Sequence, residues 1–349
     1  MCIREKLPIG EFVRVLLTGG GGYIGSVLSE MLLDKGFEVT VLDRFFFGKE
    51  ALDHVKDRIR MVQGDIRWVE PSIMRGIGAV IDMAAMSNDP LGELNPKKTY
   101  EINYKGRLRM AKLAKKYKVE RYILASSCSI YGFSKKVVSE TTKANPLTTY
   151  SKANSQWENE TLPLASSNFC VTALRQSSVY GPSTRMRFDI SLNAMTLRLF
   201  KSEKLQIMRD GNQTRPFIHI KDTSNAFITV LKADKDLVNG EIFNVGSNDQ
   251  NMKIFDLAKI VARSNGKKLN YEWYGNADYR SYVVNFDKIR KVLGYKTKYT
   301  PRQGAREMFK ALESGKVKDD EKSITIKWYK KLYEMQDTIK NVEMKGKIL

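Results

Sequence analysis

The chain has 349 residues, of which 42% are hydrophobic and 28% charged, so it is long enough for two packed units of a globular protein. It has no run of eighteen apolar residues and its first residues carry charge, which predicts neither a membrane span nor a signal peptide and favours a cytoplasmic location. Three cysteines and two histidines, all scattered, predict no disulfide framework and no metal site, and the net charge of +20 is spread over the chain without the basic block of a nucleic-acid surface.

Short apolar runs alternate with helical patterns over the first half of the chain. Such alternation is typical of a parallel sheet with helices on both faces. After residue 182 the rhythm changes to helical stretches, loops and a lysine-rich tail, which indicates a smaller second lobe interleaved with the first. The apolar runs are VRVLL (13–17), EVTVL (38–42), RMVQ (60–63), AVIDM (79–83), RYILA (121–125) and FCVTALR (169–175).

The turn after the first apolar run reads TGGGGYIGS, with glycines spaced as G-x-G-x-x-G and as G-x-x-G-x-x-G between Gly19 and Gly25. Glycines at these positions let the backbone approach a pyrophosphate at the start of the following helix. The second run ends at Asp43, whose carboxylate can accept hydrogen bonds from ribose hydroxyls and would repel the 2′-phosphate of NADP. The combination predicts NAD as the cofactor, although the neighbouring Arg44 would weaken the discrimination against NADP.

Further motifs follow in order along the chain. With the glycine turn they give residues from about 12 to 300 a pattern that resembles the extended short-chain dehydrogenase/reductase superfamily, and within it the NAD-dependent sugar-nucleotide epimerase/dehydratase group that includes UDP-glucose 4-epimerase. The motifs are GDI (64–66), DMAAMSNDP (82–90), NYKGR (103–107), SSCSIYG (126–132), YxxxN (150–154), SVYGP (178–182), DGNQTRPFIHIKD (210–222), FNVGS (243–247) and KIRKVLGY (288–295).

The resemblance implies a Rossmann-type doubly wound parallel sheet with a smaller C-terminal α/β lobe. It implies NAD as cofactor, a nucleotide-diphosphate sugar as substrate and no nucleic-acid or membrane partner. Proteins of this group form homodimers through two helices, which correspond here to residues near 99–117 and 150–165. The implied segments are a Rossmann domain at 12–180, to which later segments return, a substrate-binding lobe at 181–315 and a lysine-rich helical extension at 316–349.

The resemblance also assigns site residues, position by position. Ser127, Tyr150 and Asn154 are the implied catalytic residues, and Arg215 and Arg280 would hold the substrate diphosphate, which forked guanidinium donors bind well. Asp65 and Ile66 would flank the adenine. The full cofactor set is Gly19, Gly22, Tyr23, Ile24, Gly25, Asp43, Arg44, Asp65, Ile66, Ala84, Ala85, Asn103, Tyr150 and Asn154, and the substrate set is Ser87, Ser127, Cys128, Ser178, Asn193, Arg215 and Arg280.

Tyr150 raises a chemical question. An enzyme of this group oxidises a sugar hydroxyl while the tyrosine takes its proton, and free tyrosine titrates near 10, so the phenolate needs help at neutral pH. In the family a lysine four residues after the tyrosine gives that help, but this chain has the uncharged Asn154 there. Three explanations stay open: a subfamily that uses Asn154 natively, an inactivating substitution, or a protein that has given up redox work.

Other departures bear on the reaction. The 4,6-dehydratases of the group have an acidic pair directly after the catalytic Ser or Thr, where this chain has Cys128 and Ser129, and this disfavours dehydration. Asp82 replaces a histidine, and Ser178 an asparagine, of the family pattern. The sequence predicts an NAD-dependent nucleotide-sugar epimerase that acts through a transient keto sugar. The alternatives are a nucleotide-sugar reductase or dehydrogenase, a 4,6-dehydratase, and a redox-silent NAD-binding regulatory protein.

Overall fold

The computed structural model describes residues 13–344 and 346–347, so Cys2 and the charged first residues lie outside the described part of the chain. The described residues form strands of three to seven residues, which are distributed between Arg14 and Val284. In chain order the strands are β1 (Arg14–Thr18), β2 (Glu38–Asp43), β3 (Ile59–Gln63), β4 (Ala79–Asp82), β5 (Arg121–Ser127), β6 (Phe133–Val138), β7 (Cys170–Gln176), β8 (Ser178–Tyr180), β9 (Leu205–Met208), β10 (Thr214–His219), β11 (Glu241–Val245), β12 (Asn251–Lys253), β13 (Tyr271–Tyr274) and β14 (Ser281–Val284).

Seven of these strands form one parallel sheet in the order β11, β7, β5, β4, β1, β2, β3. The order runs outward from β1 in both directions, which is the arrangement of a doubly wound Rossmann sheet. Val15 of β1 lies opposite Val39 of β2 on one side and Ala79 of β4 on the other. These strands read as continuous apolar runs because helices cover both faces of the sheet. The predicted fold class is confirmed.

Helices and short helical turns connect the strands. The helix that carries Tyr150 begins where the sequence contains a capping box: the Thr148 hydroxyl accepts the Ser151 N–H, and the Ser151 hydroxyl accepts the Thr148 N–H. No helix in the described part of the chain is long and apolar enough to span a membrane. The helices are α1 (Tyr23–Leu33), α2 (Asp89–Leu94), α3 (Pro96–Tyr100), α4 (Arg107–Lys116), α5 (Thr149–Thr161), α6 (Ser191–Ser202), α7 (Ile220–Lys232), α8 (Lys235–Val238), α9 (Ile254–Ser264), α10 (Asp287–Leu293), α11 (Pro301–Glu313) and α12 (Thr325–Val342).

The remaining strands form small sheets beside the main one. One has the order β12, β10, β8, and two pairs join β13 with β9 and β14 with β6. Helices α6, α9 and α11 pack on this part through a core that includes Leu192, Leu199, Leu257 and Val261. Because β11 forms the edge of the main sheet, the chain returns to the Rossmann sheet after it has entered the smaller lobe. The residue limits given above for the domains stay a prediction.

The carboxyl ends of the parallel strands meet at one edge of the main sheet, where ligands bind in open α/β folds. The glycine turn follows β1, Asp43 ends β2, Asp82 ends β4 and Ser127 ends β5. Helix α4 is entered through a six-residue π-helical segment, Glu101–Gly106, which follows α3 directly. The fold therefore brings the predicted cofactor and catalytic residues to the same edge.

Candidate active site

The glycine turn has the shape that its sequence predicts. Gly19 has a φ of 73°, and a Cβ on it would press on the backbone of Ala84, while a Cβ on Gly25 would overlap the carbonyl oxygen of Gly19. Helix α1 starts at this turn, and no side chain in the described part of the chain caps its N-terminus. The first N–H groups of the helix are therefore free to bind an anion, as a pyrophosphate site requires.

Asp43 is held by backbone donors at the end of β2. Its two carboxylate oxygens accept hydrogen bonds from the N–H of Gly21 at 3.0 Å and the N–H of Phe45 at 2.7 Å. Burial raises the pKa of Asp43, and the bonds from Phe45 and Gly21 oppose that rise. The carboxylate is thus fixed in orientation at the edge of the cleft, with lone pairs left for the hydroxyls of a ribose.

Arg44, the residue that could have favoured NADP, is turned toward Asp65. Its guanidinium donates to the Asp65 carboxylate at 2.8 Å, and it lies 4.5 Å over the ring of Phe46. Arg67 donates to the same carboxylate, also at 2.8 Å. Burial alone would raise the pKa of Asp65, but the bonds from Arg67 and Arg44 bring that pKa down to about 2. Arg44 is therefore engaged by Asp65, which supports the predicted preference for NAD.

A cleft of about 1020 Å³, its open mouth included, joins these features. An uncapped helix N-terminus, a close-packed glycine turn and a fixed carboxylate together fit the pyrophosphate and adenosine ribose of NAD. The predicted cofactor residues that line the cleft are Gly19, Gly22, Tyr23, Ile24, Gly25, Asp43, Arg44, Asp65, Ile66, Ala84 and Ala85, and the predicted substrate residue Ser87 lines it too.

The C-terminal helix forms part of the wall of this cleft. Tyr329 of α12 lies against the rings of Phe46 and Phe47, with centroids 5.6 and 5.9 Å away, and Trp328 donates to the Phe46 carbonyl oxygen at 2.7 Å. From the sequence this helix was predicted only as part of the lysine-rich extension at 316–349, with no role in the site. Two adjacent aromatic residues, Trp328 and Tyr329, stand among the lysines and were a local signal for a buried face.

Tyr150 lies in the first turn of α5, close to Ser127 at the end of β5. Burial raises the pKa of Tyr150, Arg107 lowers it, Asp89 raises it, and Asn154 and Ser127 lower it. The predicted catalytic group of Ser127, Tyr150 and Asn154 is thus assembled in one place. The net effect is a tyrosine whose pKa lies above its ordinary value.

Asn154 faces an arginine that sequence reasoning missed. Arg107 donates from Nη1 to Asn154 Oδ1 at 3.0 Å, and both side chains are buried, with 1% and 0% of their surfaces exposed. The motif NYKGR contains Arg107, and its position in that motif gave no hint of this contact. The only signal lay in two departures from the family pattern, Asp82 and Asn154, which both turn out to contact Arg107.

The two arginines proposed to hold the substrate diphosphate lie together. Arg215 and Arg280 both pair with Asp278, at 3.0 and 2.8 Å, and Arg280 also pairs with Asp89. Asp278 is partly buried between them, and despite that burial the bond from Arg280 and the charge of Arg215 lower its pKa. The structure thus brings these arginines together with their charges already paired to carboxylates.

Three other predicted residues are Asn103, Asn193 and Ser178, and the first two brace the cleft through hydrogen bonds. Asn103 is buried and bonds to both the N–H and the carbonyl of Met86, at 2.8 and 3.0 Å, so it braces the cleft backbone. Asn193 is buried too and donates to the Tyr23 hydroxyl at 3.0 Å. Ser178 is half-buried on β8.

The structure argues against a substrate contact by the Cys128 side chain. The residue is 1% exposed, its thiol donates to the Arg175 carbonyl oxygen at 3.2 Å, and burial raises its pKa well above the ordinary value. A thiol in this position is protonated and points into the core. No group of three or more His, Cys, Asp or Glu side chains that could hold a metal ion occurs among the residues that the structure describes.

The sequence model of the NAD dependent epimerase/dehydratase family matches residues 15–246. The chain belongs to this family. The family match covers the glycine turn, Asp43, Ser127 and Tyr150, and it makes NAD the cofactor, as the sequence predicted. The smaller part of the chain after residue 246, including α12, lies outside the matched segment.

Individual relatives differ in the reaction they are named for. UDP-glucuronic acid decarboxylase 2 of Arabidopsis thaliana is 27% identical over 320 residues, which cover 87% of this chain and 70% of that protein. A putative UDP-glucose 4-epimerase of Methanocaldococcus jannaschii is 26% identical over 302 residues, covering 84% and 96%. UDP-glucuronic acid 4-epimerase of Bacillus cereus, solved with UDP-glucuronic acid and NAD, has the same fold, with a TM-score of 0.78, 22% identity and coverage of 86% and 99%.

Proposed function

We propose that this protein is an NAD-dependent nucleotide-sugar epimerase that acts through a transient keto sugar. The observation that carries the proposal is the assembly of Ser127, Tyr150 and Asn154 at the sheet edge that forms the cofactor cleft. Asp89 links Arg280 to this group, since it pairs with Arg280 and accepts a hydrogen bond from Thr148 at the start of α5. Both relatives named above as epimerases, and the decarboxylase as well, are named for UDP-sugar substrates.

In the proposed reaction the Tyr150 phenolate takes the proton of a sugar hydroxyl, while the Ser127 hydroxyl donates a hydrogen bond to the same oxygen. NAD, when bound, supplies the acceptor for the hydride that leaves the carbon. Tyr150 would return the proton to the same oxygen when the keto group is reduced on its opposite face. Arg215 and Arg280 would hold the diphosphate during both steps, which requires them to exchange Asp278 for phosphate oxygens.

Elimination of water needs a further acid and base next to the reacting carbon. The positions after Ser127 carry the buried Cys128 and the neutral Ser129, which have no carboxylate to offer. The arrangement therefore favours reversible oxidation over dehydration. Decarboxylation is a second candidate, favoured by the match to UDP-glucuronic acid decarboxylase 2, because a keto group next to the carbon that carries the carboxylate lets CO₂ leave without an added acid.

The experiment is to incubate the protein and NAD with UDP-, GDP-, CDP- and dTDP-hexoses and with UDP-glucuronic acid, and to follow the products by NMR and CO₂ release. We expect a C4 epimer with no net NADH. Net NADH would identify a dehydrogenase, and CO₂ a decarboxylase. NAD binding without turnover of any sugar would favour the redox-silent regulator, and the Tyr150→Phe variant is the matched control for background reaction.

We also propose a homodimer through α4 and α5, the helices nearest to the predicted segments 99–117 and 150–165. The two helices pack beside each other, and Tyr104 of the π-helical segment that leads into α4 donates from its hydroxyl to Glu160 of α5 at the surface. Light scattering of the purified protein at several concentrations tests this. A monomer at all concentrations would contradict it.

A further inference from the structure

Arg107 is a charged residue in the interior, at the point where the π-helical segment joins α4. Its Nη2 donates to the carbonyl oxygens of Asp82 and Ala125, at 2.9 and 2.8 Å, and its guanidinium carbon lies 3.2 Å from the centre of the Trp157 ring. Burial lowers the pKa of Arg107 and the charge of Asp82 opposes that change, but a guanidinium titrates so high that it stays protonated in proteins. These contacts therefore hold a positive charge in a fixed place.

The contact with Asn154 determines how the asparagine amide is turned. A guanidinium only donates hydrogen bonds, so the atom that faces Arg107 Nη1 must be the amide oxygen of Asn154. The Nδ2 of Asn154 then points the other way, and it has no hydrogen-bond partner within the described part of the chain. Because Tyr150 and Asn154 are four residues apart on α5, their side chains share one helix face, and Asn154 is one of the groups that lower the pKa of Tyr150.

We propose that Arg107 is a positioning residue that supplies, through the amide of Asn154, the positive charge which stabilises the phenolate of Tyr150. The arginine fixes the amide with its donors toward Tyr150 and polarises it, because a hydrogen bond accepted from a cation makes the amide N–H a stronger donor. The proposal rests on the acid/base role proposed for Tyr150. It explains how a site without the expected lysine can still place a cation near Tyr150: the cation is Arg107, and Asn154 lies between it and the tyrosine.

The charges around Tyr150 and Arg107 support this assignment. Arg107 is the strongest influence that lowers the pKa of Tyr150, against the larger effect of burial. Of the other charges near Tyr150, Asp89 pairs with Arg280, and Arg187 pairs with Asp189 at 2.9 Å. The groups that act on the tyrosine are Arg107, Arg187, Asp89, Asn154 and Ser127, and those that act on the arginine are Asp82, Tyr122, Tyr150 and Glu158.

Asp82 partly offsets the positive charge of Arg107, and the Nη1 end of the guanidinium still faces Asn154. The closest approach of the pair is 3.8 Å and runs from Arg107 Nε to Asp82 Oδ1, on the side of the guanidinium away from Nη1. The carboxylate is also bonded to the hydroxyls of Thr18, at 2.6 Å, and Tyr122. The positive end of this buried pair therefore faces Asn154. Asp82 and Asn154, two separate departures from the family pattern, form one arrangement around Arg107.

The test measures ionisation of Tyr150 directly, in the protein without NAD or substrate. The protein is labelled with 3-fluorotyrosine at every tyrosine, and ¹⁹F NMR follows each ring through a pH titration. The ring fluorine lowers the pKa of each phenol, so the titration falls at lower pH. The signal that is missing from the Tyr150→Phe variant is that of Tyr150. Removing Arg107 alone leaves Asp82 buried without its cation, so the informative variant is Arg107→Met with Asp82→Asn, which removes the pair together. We expect the Tyr150 midpoint to rise by about 1 unit or more.

A rescue and a control separate this role from a structural one. Adding Asn154→Lys to the double variant puts a cation back beside the tyrosine, and we expect the midpoint to return to or below the starting value. Arg109→Met removes an arginine from the same helix that donates to the carbonyls of Ile66 and Val69, and the midpoint should stay unchanged.

An unchanged Tyr150 midpoint in the double variant would overturn the proposal, as would an equal rise in Arg109→Met or a failure of the lysine to lower the midpoint. Circular dichroism at each pH confirms that the variants are folded. If the double variant does not fold, Asn154→Leu in the intact protein serves instead, and an unchanged midpoint there contradicts the proposal equally. Because no sugar is involved, this result is independent of whether the protein proves to be an epimerase.

Discussion

The two ends of the active-site cleft are built in different ways. At the cofactor end the groups that would meet the ligand are mostly backbone: a glycine turn, the free N–H groups of α1, and one carboxylate held by two N–H donors. At the catalytic end they are side chains with buried charges, drawn from β4, β5, α4 and α5. Backbone sites change little when one side chain is replaced, whereas a buried pair such as Arg107 and Asp82 depends on both partners. Substitutions at the catalytic end should therefore change chemistry far more than cofactor affinity.

The largest expected effect is that of Tyr150→Phe, which removes the proton acceptor and leaves the cofactor end intact. Turnover should fall by roughly 10²–10⁴-fold or more, while NAD affinity changes little. In the unmodified protein activity should increase toward alkaline pH, because the raised pKa of Tyr150 delays formation of the phenolate. The measurement is kcat/KM against pH, with NAD affinity by calorimetry. Retained turnover in the phenylalanine variant would exclude Tyr150 as the acid/base.

Asp43→Ala tests the cofactor end in the same way. The change removes the acceptor proposed for the ribose hydroxyls, so NAD should bind more weakly by ~1–3 kcal/mol, the range for hydrogen bonds to a charged group. Asp43→Asn is the matched control, since it keeps the size and one acceptor oxygen. Calorimetry with NAD and NADP measures both proteins. Tighter binding of NADP than NAD by the unmodified protein would contradict the assignment of Asp43 and the engagement of Arg44 by Asp65.

Arg215→Met should separate substrate from cofactor. The variant loses one of two proposed diphosphate ligands, so the KM for a nucleotide sugar should rise about tenfold or more while NAD affinity stays the same. Asp278→Asn is the companion variant: it loosens the two arginines and should lower the KM or leave it unchanged. Equal losses of substrate and NAD affinity in Arg215→Met would show that the residue supports the fold instead.

The smallest expected effect belongs to Trp328→Phe on α12. The change keeps an aromatic ring but removes the hydrogen bond to the Phe46 carbonyl, which is worth ~0.5–1.5 kcal/mol. NAD should bind several-fold more weakly, and turnover at saturating NAD should be unaffected. Met335→Ala, at an exposed position of the same helix, is the control. Equal NAD affinity in the two variants would mean that the helix wall does not contribute to cofactor binding.

The sequence predicted the parts of the molecule in which neighbouring residues determine the structure. The alternation of apolar runs gave the parallel sheet, and the glycine spacing with Asp43 gave the cofactor turn, because each depends on one βαβ unit. Arg107 and the aromatic wall were missed because their partners are distant in the chain. Arg107 contacts Asn154 across 47 residues, and Trp328 contacts Phe46 across 282. Local periodicity cannot predict contacts between such distant residues. Asp82 and Asn154, which depart from the family pattern, were the signal that this part of the site is unusual.

The contact between α12 and the cofactor cleft also has a consequence for how the protein is made. Chains are synthesised from the N-terminus, and early segments can fold while later ones are still being added. The glycine turn and Asp43 leave the ribosome well before Trp328 and Tyr329, which complete the cleft wall, because Trp328 follows Phe46 by 282 residues. A nascent chain therefore has the whole glycine turn and only part of its enclosure. We therefore expect a chain cut before α12 to lack this wall of the cleft, even though it contains every residue of the family match.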